Sequence, residues 1–347
     1  MPSSLQPTGT AMVRLFDDLD ALAADAAGAL DRARQPSLYD SLDWLRRTHE
    51  HVMPDAQLAI ARATSGTDRC WLPLTVDGGR GRALASWYTL SFAPIFDAAP
   101  SARTMLLEAI ARTLRRSLAR LELAPIPAED ADALAGSFAA AGWWVSAQDT
   151  TANWVAHTVD KNFATYWTER PSRLRNTWRR KAKAAPLDIA IRSCCSDEDW
   201  AAYERVYTGS WKPDEGSPAF MRAFARDEAA AGTLRLGIAR RAGEPVAAQL
   251  WTVEHGRAII HKLAYLESER AASPGTILSE AMFRHVIDRD RPALIDFGTG
   301  DDGYKADWMD ERRMLRVLTL HNGRSIAGLA AAARAAGAAW VRGLRDG

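Results

Sequence analysis

The stretch AIIHKLAYLESERAASPGTILSEAMFRHVIDRDRPALIDFGTGDDGYKADW, residues 258–308, decides the fold. It reads as a strand (AIIHKLAYL), a loop closing on Ser273-Pro274-Gly275-Thr276, a helix, a second strand (ALIDFG), and a polar turn into a short helix over 304–309. Ser273 suits a helix N-cap, and Pro274 suits the first helical position, where its missing N–H is one of the unpaired donors anyway. Gly275 then falls in the first turn. A bare backbone there lets an anion approach N–H groups at the positive end of the helix dipole. The same letters also suit an ordinary strand-to-helix turn.

Working outward, the elements around this stretch occur twice. In the second half, residues 187–192 read as a strand, 197–207 and 218–230 as helices, and LRLGIAR, EPVAAQLWTV and RAIIHKLAYL as three strands; the helix after Ser273, ALIDFG and MLRVLTL follow. The first half begins at Met12, with helices expected over 17–34 and from Ser41 to Pro54. Strands QLAIAR, CWLPLTV and RALASWYTLSF come next, then a helix over 101–118, the strand LARLELAPI, a helix over 129–141 and closing strands at 143–147 and 153–158. The letters repeat as well: LAIAR at 58–62 against LGIAR at 236–240, and LLEAIAR at 106–112 against LSEAMFR at 278–284. An internal duplication explains both. Each copy is expected to be an α/β domain with a mixed, mostly antiparallel sheet flanked by helices, in which one strand–helix–strand crossover makes the last pairing parallel. The boundaries read as a loose tail (1–11), a first domain (12–160), a basic linker helix (161–186), a second domain (187–322) and an Ala-rich terminal helix (323–347).

Matching the copies sets Ser101-Ala102-Arg103-Thr104 against Ser273-Pro274-Gly275-Thr276, so an arginine stands where the second copy offers bare backbone. His261 falls opposite Ser86, Tyr265 opposite Leu90, and Asp296 opposite Leu123. The polar groups belong to the second copy, which is therefore expected to carry the chemistry while the first serves as scaffold.

These features together resemble the GNAT acyltransferase fold. YLES, SPGTIL and LIDFGTGDDGYKADW, the duplication and the basic stretch before the second copy resemble the CelD/BcsL-type acetyltransferases, relatives of the FemABX aminoacyl transferases. The resemblance implies two tandem GNAT-like domains, the first degenerate. It also implies transfer of an acyl group from acetyl-CoA or another acyl-CoA to an amine or hydroxyl of a small, saccharide or cell-envelope-linked acceptor. The usual GNAT loop has Gln or Arg followed by two further spaced glycines, whereas ERAASPGT offers Arg270 and one glycine. Arg270, Ser273, Pro274, Gly275 and Thr276 are the matching donor-binding positions.

Acyl transfer needs a deprotonated nucleophile, donors for the developing oxyanion and a proton for the departing thiolate. Period two in AIIHKLAYL places Ile259, His261, Leu263 and Tyr265 on one face and Lys262 on the other. His261 is a candidate base, as its pKa lies near neutrality, or a satisfied strand histidine. Asp296, inside LIDFG, needs a partner; Lys305 could supply an ion pair, or Asp296 could orient His261 or a substrate group. Tyr304 and Tyr265 are candidate proton donors or amphipathic packing. Asp301-Asp302-Gly303 lacks the later ligands of a calcium loop, so no metal is expected; these acids suit the start of the Tyr304 helix. Trp211, in the loop between the two helices, and Gln249 and Trp251, on the strand alongside, are candidate acceptor-binding residues able to stack on a sugar or adenine. Most of the 13 tryptophans read as packing.

Lys+Arg (44) nearly balances Asp+Glu (43), which excludes a global field for nucleic acid or membrane. The basic residues Arg173, Arg175, Arg179, Arg180, Lys181 and Lys183 form a local exception. They suit a solvated linker helix, CoA or nucleotide-sugar phosphates, or tRNA if the donor is aminoacyl-tRNA; DNA is not expected. Three cysteines without C-x-x-C spacing suggest neither disulfides nor zinc. With no signal-like start and no apolar run of ~18 residues, a cytoplasmic protein is expected. The alternatives to acyl-CoA chemistry are an aminoacyl-tRNA-dependent, FemABX-like transferase and a non-catalytic ligand-binding protein of GNAT-like fold.

Overall fold

The computed structural model describes residues 11–323. The Ala-rich helix expected over 323–347 and most of the expected tail lie outside them. The chain forms two compact units: 11–150 together with 314–323, and 151–313, so that the chain returns to the first unit after completing the second. The end of the second unit differs from the sequence boundary at 322 because of the last strand. Leu318 and Leu320 of MLRVLTL join the core of the first unit, where Leu318 pairs with Leu123.

In the first unit, Met12–Phe16, Ile60–Ser65, Asp68–Leu72 and Ile95–Asp97 form an antiparallel four-stranded sheet. Leu74–Asp77 and Arg80–Ala83 form a hairpin, and Arg80–Ala83 runs parallel to Arg120–Pro127. Between the two parallel strands lies the helix Pro100–Leu114, whose Leu106, Ile110 and Leu114 are fully buried against Ala61, Leu72 and Leu121. CWLPLTV divides at Pro73, which has no N–H to give a ladder. The helix expected over 17–34 ends at Ala26, where Ala27 and Gly28 take positive φ (49° and 81°). RALASWYTLSF is strand only to Ala83. Beyond it, Trp44 Nε1 and the Ser86 N–H both donate to Thr89 Oγ1, and the Phe92 N–H donates to Pro125 O. Ser86 and Leu90, matched above to strand residues, therefore stand in a loop. The two expected closing strands are one, Trp143–His157.

In the second unit the strands run in the order Asp188–Arg192, Leu234–Arg241, Glu244–Glu254, Arg257–Tyr265, Leu294–Thr299 and the latter half of Trp143–His157. All pairings are antiparallel except Arg257–Tyr265 with Leu294–Thr299, which the Pro274–His285 crossover makes parallel. Leu278, Met282 and Phe283 of that helix bury against Ala239, Ala247, Trp251 and Ile260. Phe283 stacks between Tyr166 and Trp308, with ring centroids 5.3 and 4.9 Å away. Among the described residues no helix is long and apolar enough to cross a membrane.

Candidate active site

The parallel strands pair only at Arg257–Ile259 with Leu294–Asp296, and then part. The reason lies in the turn that ends Leu294–Thr299. Asp296, almost fully buried, accepts the Gly298 N–H (2.8 Å) on Oδ1 and Asn153 Nδ2 (3.1 Å) on Oδ2, while Gly298 and Gly300 take φ of 69° and 114°. Lys305 folds back so that its Nζ donates to the carbonyls of Phe297 (3.3 Å), Gly298 (3.3 Å) and Thr299 (2.7 Å). The strand end is thus bonded to its own following loop. The ion pair between Lys305 and Asp296 that the sequence allowed is not formed, because backbone carbonyls satisfy the ammonium while the Gly298 N–H and the Asn153 amide satisfy the carboxylate. Burial brings the Lys305 ammonium down to about pKa 8, partly offset by Asp302.

Where the strands part lies a cleft of 490 Å³. Leu263 and Tyr265 form one wall, Gly275, Thr276 and Ser279 a second, and Asp302, Tyr304, Asp307 and Trp308 a third; Trp211 and the Arg173–Thr177 turn border it. Gly275 and Ser279, one helical turn apart, share a face.

The helix start differs from a capped one. Ser273 has φ 54° and ψ 47°, ends the preceding 3-10 turn through its N–H to Arg270 O (3.0 Å), and makes no side-chain cap. Its carbonyl takes the N–H groups of Thr276 (3.1 Å) and Ile277 (3.3 Å). Pro274 has no N–H, so Gly275 supplies the one N–H of this turn without a backbone acceptor among the described bonds. The absent side chain at Gly275 also makes room for Tyr265: a Cβ there would lie 2.8 Å from Tyr265 Cδ1. Tyr265 in turn meets the half-exposed Trp211 at 4.2 Å between ring centroids. Arg270 is exposed and paired with Glu267 (3.1 Å).

His261 lies elsewhere. Leu250 pairs with Lys262 and Trp251 with Ile260, which leaves His261 as the extra residue of a bulge and breaks the expected alternation. Trp251 packs against Phe283 at 5.0 Å, so Thr252 faces the other side of the sheet, where its Oγ1 lies 2.8 Å from His261 Nε2. The His261 ring meets Phe224 edge-on at 4.8 Å. Leu263 and Tyr265 reach the cleft; His261 does not line it. Trp251 and Gln249 are fully buried, with Trp251 Nε1 donating to Gln249 Oε1 (2.9 Å) and Gln249 Nε2 to Ser279 Oγ (2.8 Å). Neither offers a stacking face; Gln249 instead holds Ser279 at the cleft wall.

Tyr304 is 42% exposed and sits edge-on to Phe297 at 5.7 Å. Burial of the phenol group, then the Asp302 charge, raises its pKa and keeps it protonated. Arg173 Nε binds Asp307 Oδ1 (2.9 Å), and Lys181 Nζ reaches Ala271 O (2.5 Å), so the basic helix Ser172–Ala184 is bonded to both the cleft rim and the loop before Pro274. Arg179, Arg180 and Lys183 are exposed. Asp301 is held by Arg312 (2.9 and 2.6 Å), which lowers its pKa, and by Trp154. Sequence reading missed the cleft carboxylate of Asp302, Ser279, and the buried Arg170, which donates to Trp308 O (2.9 Å) and Asp310. The i, i+4 spacing of Gly275 and Ser279 was the signal available for the serine; nothing local marked the other two.

A family model described as an acetyltransferase (GNAT) domain matches residues 170–306. This segment is a GNAT-type acetyltransferase domain. Its match begins at Arg170 and ends just past Lys305, so it includes the cleft residues from Arg173 to Tyr304 and stops short of Asp307 and Trp308. Three solved structures share the fold over most of the chain. FemX is 9% identical, with a TM-score of 0.58 over 88% of this chain and 96% of its own. The C-terminal domain of a lysylphosphatidylglycerol synthetase from Agrobacterium fabrum is 14% identical (0.54; 84% and 95%). A tandem GNAT protein from the clavulanic acid biosynthesis pathway is 13% identical (0.52; 91% and 99%). At these identities the likeness concerns the fold, which here is two tandem GNAT-like α/β domains. No curated protein matches the sequence.

Proposed function

We propose that the cleft of the GNAT domain transfers an acyl group from acyl-CoA, with acetyl-CoA as the simplest donor, to an amine or hydroxyl of a small or carbohydrate-linked acceptor. The observation that carries this reading is the parting of the parallel strands beyond Ile259 and Asp296 directly onto the Gly275 helix start. A thioester lying between the strands would place its phosphates toward the Gly275 N–H and the helix dipole, with Arg270, Ser273 and Thr276 around them. Tyr304, held protonated, would give its proton to the departing thiolate. Asp296 and Lys305 act here on the backbone, keeping the strand end turned away. The quoted resemblance to CelD/BcsL-type enzymes supports a carbohydrate or envelope-linked acceptor.

The test is thermal unfolding with acetyl-CoA, longer acyl-CoAs and free CoA, since a ligand that binds only the folded state raises the midpoint. A saturable rise supports the reading, and none at high ligand concentration removes it. Binding without release of CoA thiol across acceptors would favour a non-catalytic binding protein.

One observation favours a second reading. The helix carrying exposed Arg179, Arg180 and Lys183 also borders the cleft through Arg173 and Thr177, which would suit an aminoacyl-tRNA donor. A salt-sensitive shift of tRNA mobility, absent in an Arg179→Glu/Arg180→Glu/Lys183→Glu variant, would support it.

A further inference from the structure

Two side-chain charges of opposite sign stand at the cleft, Asp302 in its lining and Lys212 next to the lining residue Trp211. Of the two carboxylates lining the cleft, Asp307 is bound by Arg173, whereas that of Asp302 makes no hydrogen bond or ion pair among the described residues. The neighbouring acids are bound elsewhere: Asp301 to Arg312, Asp310 to Arg170, and Glu215 to Lys262 (2.9 Å). Asp302 is exposed, between Gly300 and Tyr304.

The second charge is Lys212. Its Nζ lies 5.5 Å from the centre of the Trp211 ring, which borders the cleft, and it makes no ion pair among the described residues. It is half-buried and within electrostatic reach of Asp302 and Lys305. Burial, then the Lys262 charge, lowers its pKa, partly offset by Asp302 and Glu215. Lys305, the other ammonium at this end, has its three donors on backbone carbonyls and offers nothing to a ligand. Trp211, Tyr265 and Tyr304 supply apolar faces to the same cleft.

We infer that the acceptor carries both a primary ammonium and an anionic group on one small body, as an amino acid or an amino-sugar acid does, with Asp302 binding the ammonium and Lys212 the anion. A purely cationic amine would meet Asp302 but repel Lys212, and a neutral sugar would draw on neither charge. The inference rests on the acyltransferase reading for its chemistry: the bound ammonium loses one proton to water, its nitrogen forms the bond to the acyl carbon as the C–S bond breaks, and the second nitrogen proton ends on the departing thiolate. Binding itself is independent of the donor.

Two measurements separate this inference from that reading. Release of CoA thiol from acetyl-CoA is followed with L-glutamate, L-lysine, putrescine, glucosamine and glucose. Without any donor, the unfolding midpoint is followed with L-glutamate and with putrescine. The expected result is turnover of the amino acids at least about tenfold faster than of putrescine, glucosamine or glucose, with L-glutamate alone raising the midpoint. Asp302→Asn and Lys212→Met should each raise the KM for L-glutamate about tenfold or more, with the acetyl-CoA midpoint shift intact to show that the cleft is folded. Equal or better turnover of putrescine, glucosamine or glucose, or an unchanged KM in both variants, overturns the inference and leaves acyl-CoA chemistry standing. Should acetyl-CoA neither bind nor react while L-glutamate still raises the midpoint of the wild type but not of Asp302→Asn, the donor reading fails and the ligand class stands; no effect of either amino acid in any assay overturns the ligand class.

Discussion

Tyr265 occupies the space that a side chain at residue 275 would need: a Cβ on Gly275 would come within 2.8 Å of Tyr265 Cδ1. The glycine is therefore required by a ring of this chain itself. Gly275→Ala should push Tyr265 off the helix start, costing about 1–3 kcal/mol by overpacking and removing the acetyl-CoA midpoint shift. Adding Tyr265→Ala to Gly275→Ala should recover part of that stability. If the double variant is as unstable as additivity predicts, the clash is not the cause.

Lys305→Met would strip three carbonyls of their shared donor and should cost at least about 1–3 kcal/mol in urea unfolding at neutral pH. The pH dependence has a definite sign. Burial depresses the folded-state pKa of Lys305 to about 8, from 10.5, so between these values the unfolded chain binds more protons and this group's contribution to stability rises with pH. The stability difference between wild type and Lys305→Met should therefore grow from pH 8 to about pH 10.5. A difference independent of pH would show that the ammonium is not depressed.

Arg170 is buried, donates to Trp308 O and Asp310, and lies over the Tyr166 ring at 4.5 Å. Arg170→Leu removes the guanidinium from Asp310, which keeps the His157 N–H (2.9 Å), and should destabilise by about 1–3 kcal/mol. Chemical denaturation measures this, and a loss below about 1 kcal/mol would mean that solvent compensates Asp310.

His261→Ala should lower thiol release from acetyl-CoA by less than about threefold, since the ring meets Phe224 and Thr252 rather than the cleft. A general base typically contributes about a hundredfold or more, so a loss of that size would return His261 to the mechanism.

Phe283→Ala should cost about 3–5 kcal/mol, since it opens a cavity between Trp251, Trp308 and Tyr166. Because Trp308 lines the cleft, ligand binding should weaken in parallel with stability.

The duplication and its crossovers were legible because they are written in local signals: periodic apolar residues, Ser41 as a cap whose Oγ accepts the Trp44 N–H, and Pro274 opening a helix. The parallel pairing follows from a strand–helix–strand order that a short turn could not join. Site residues were legible only in part. Gly275, Tyr265, Tyr304 and Trp211 do meet at one cleft, whereas Gln249, Trp251 and His261 share strands with it and lie elsewhere. A single bulged residue changed the side of the sheet on which His261 stands, and alternation read from letters has no means of placing a bulge.

The sequence by itself determined the order of elements, the crossover helix and the concentration of polar groups in the second half, because propensity, capping and periodicity act over a few neighbouring residues. Only the tertiary structure decided that Lys305 satisfies backbone carbonyls rather than Asp296, that Gln249 backs Ser279, and that Asp302 and Lys212 come within electrostatic reach of each other. Which polar group satisfies which is settled by burial and distance between segments far apart in the chain, and a buried charge takes whichever partner the fold brings within reach.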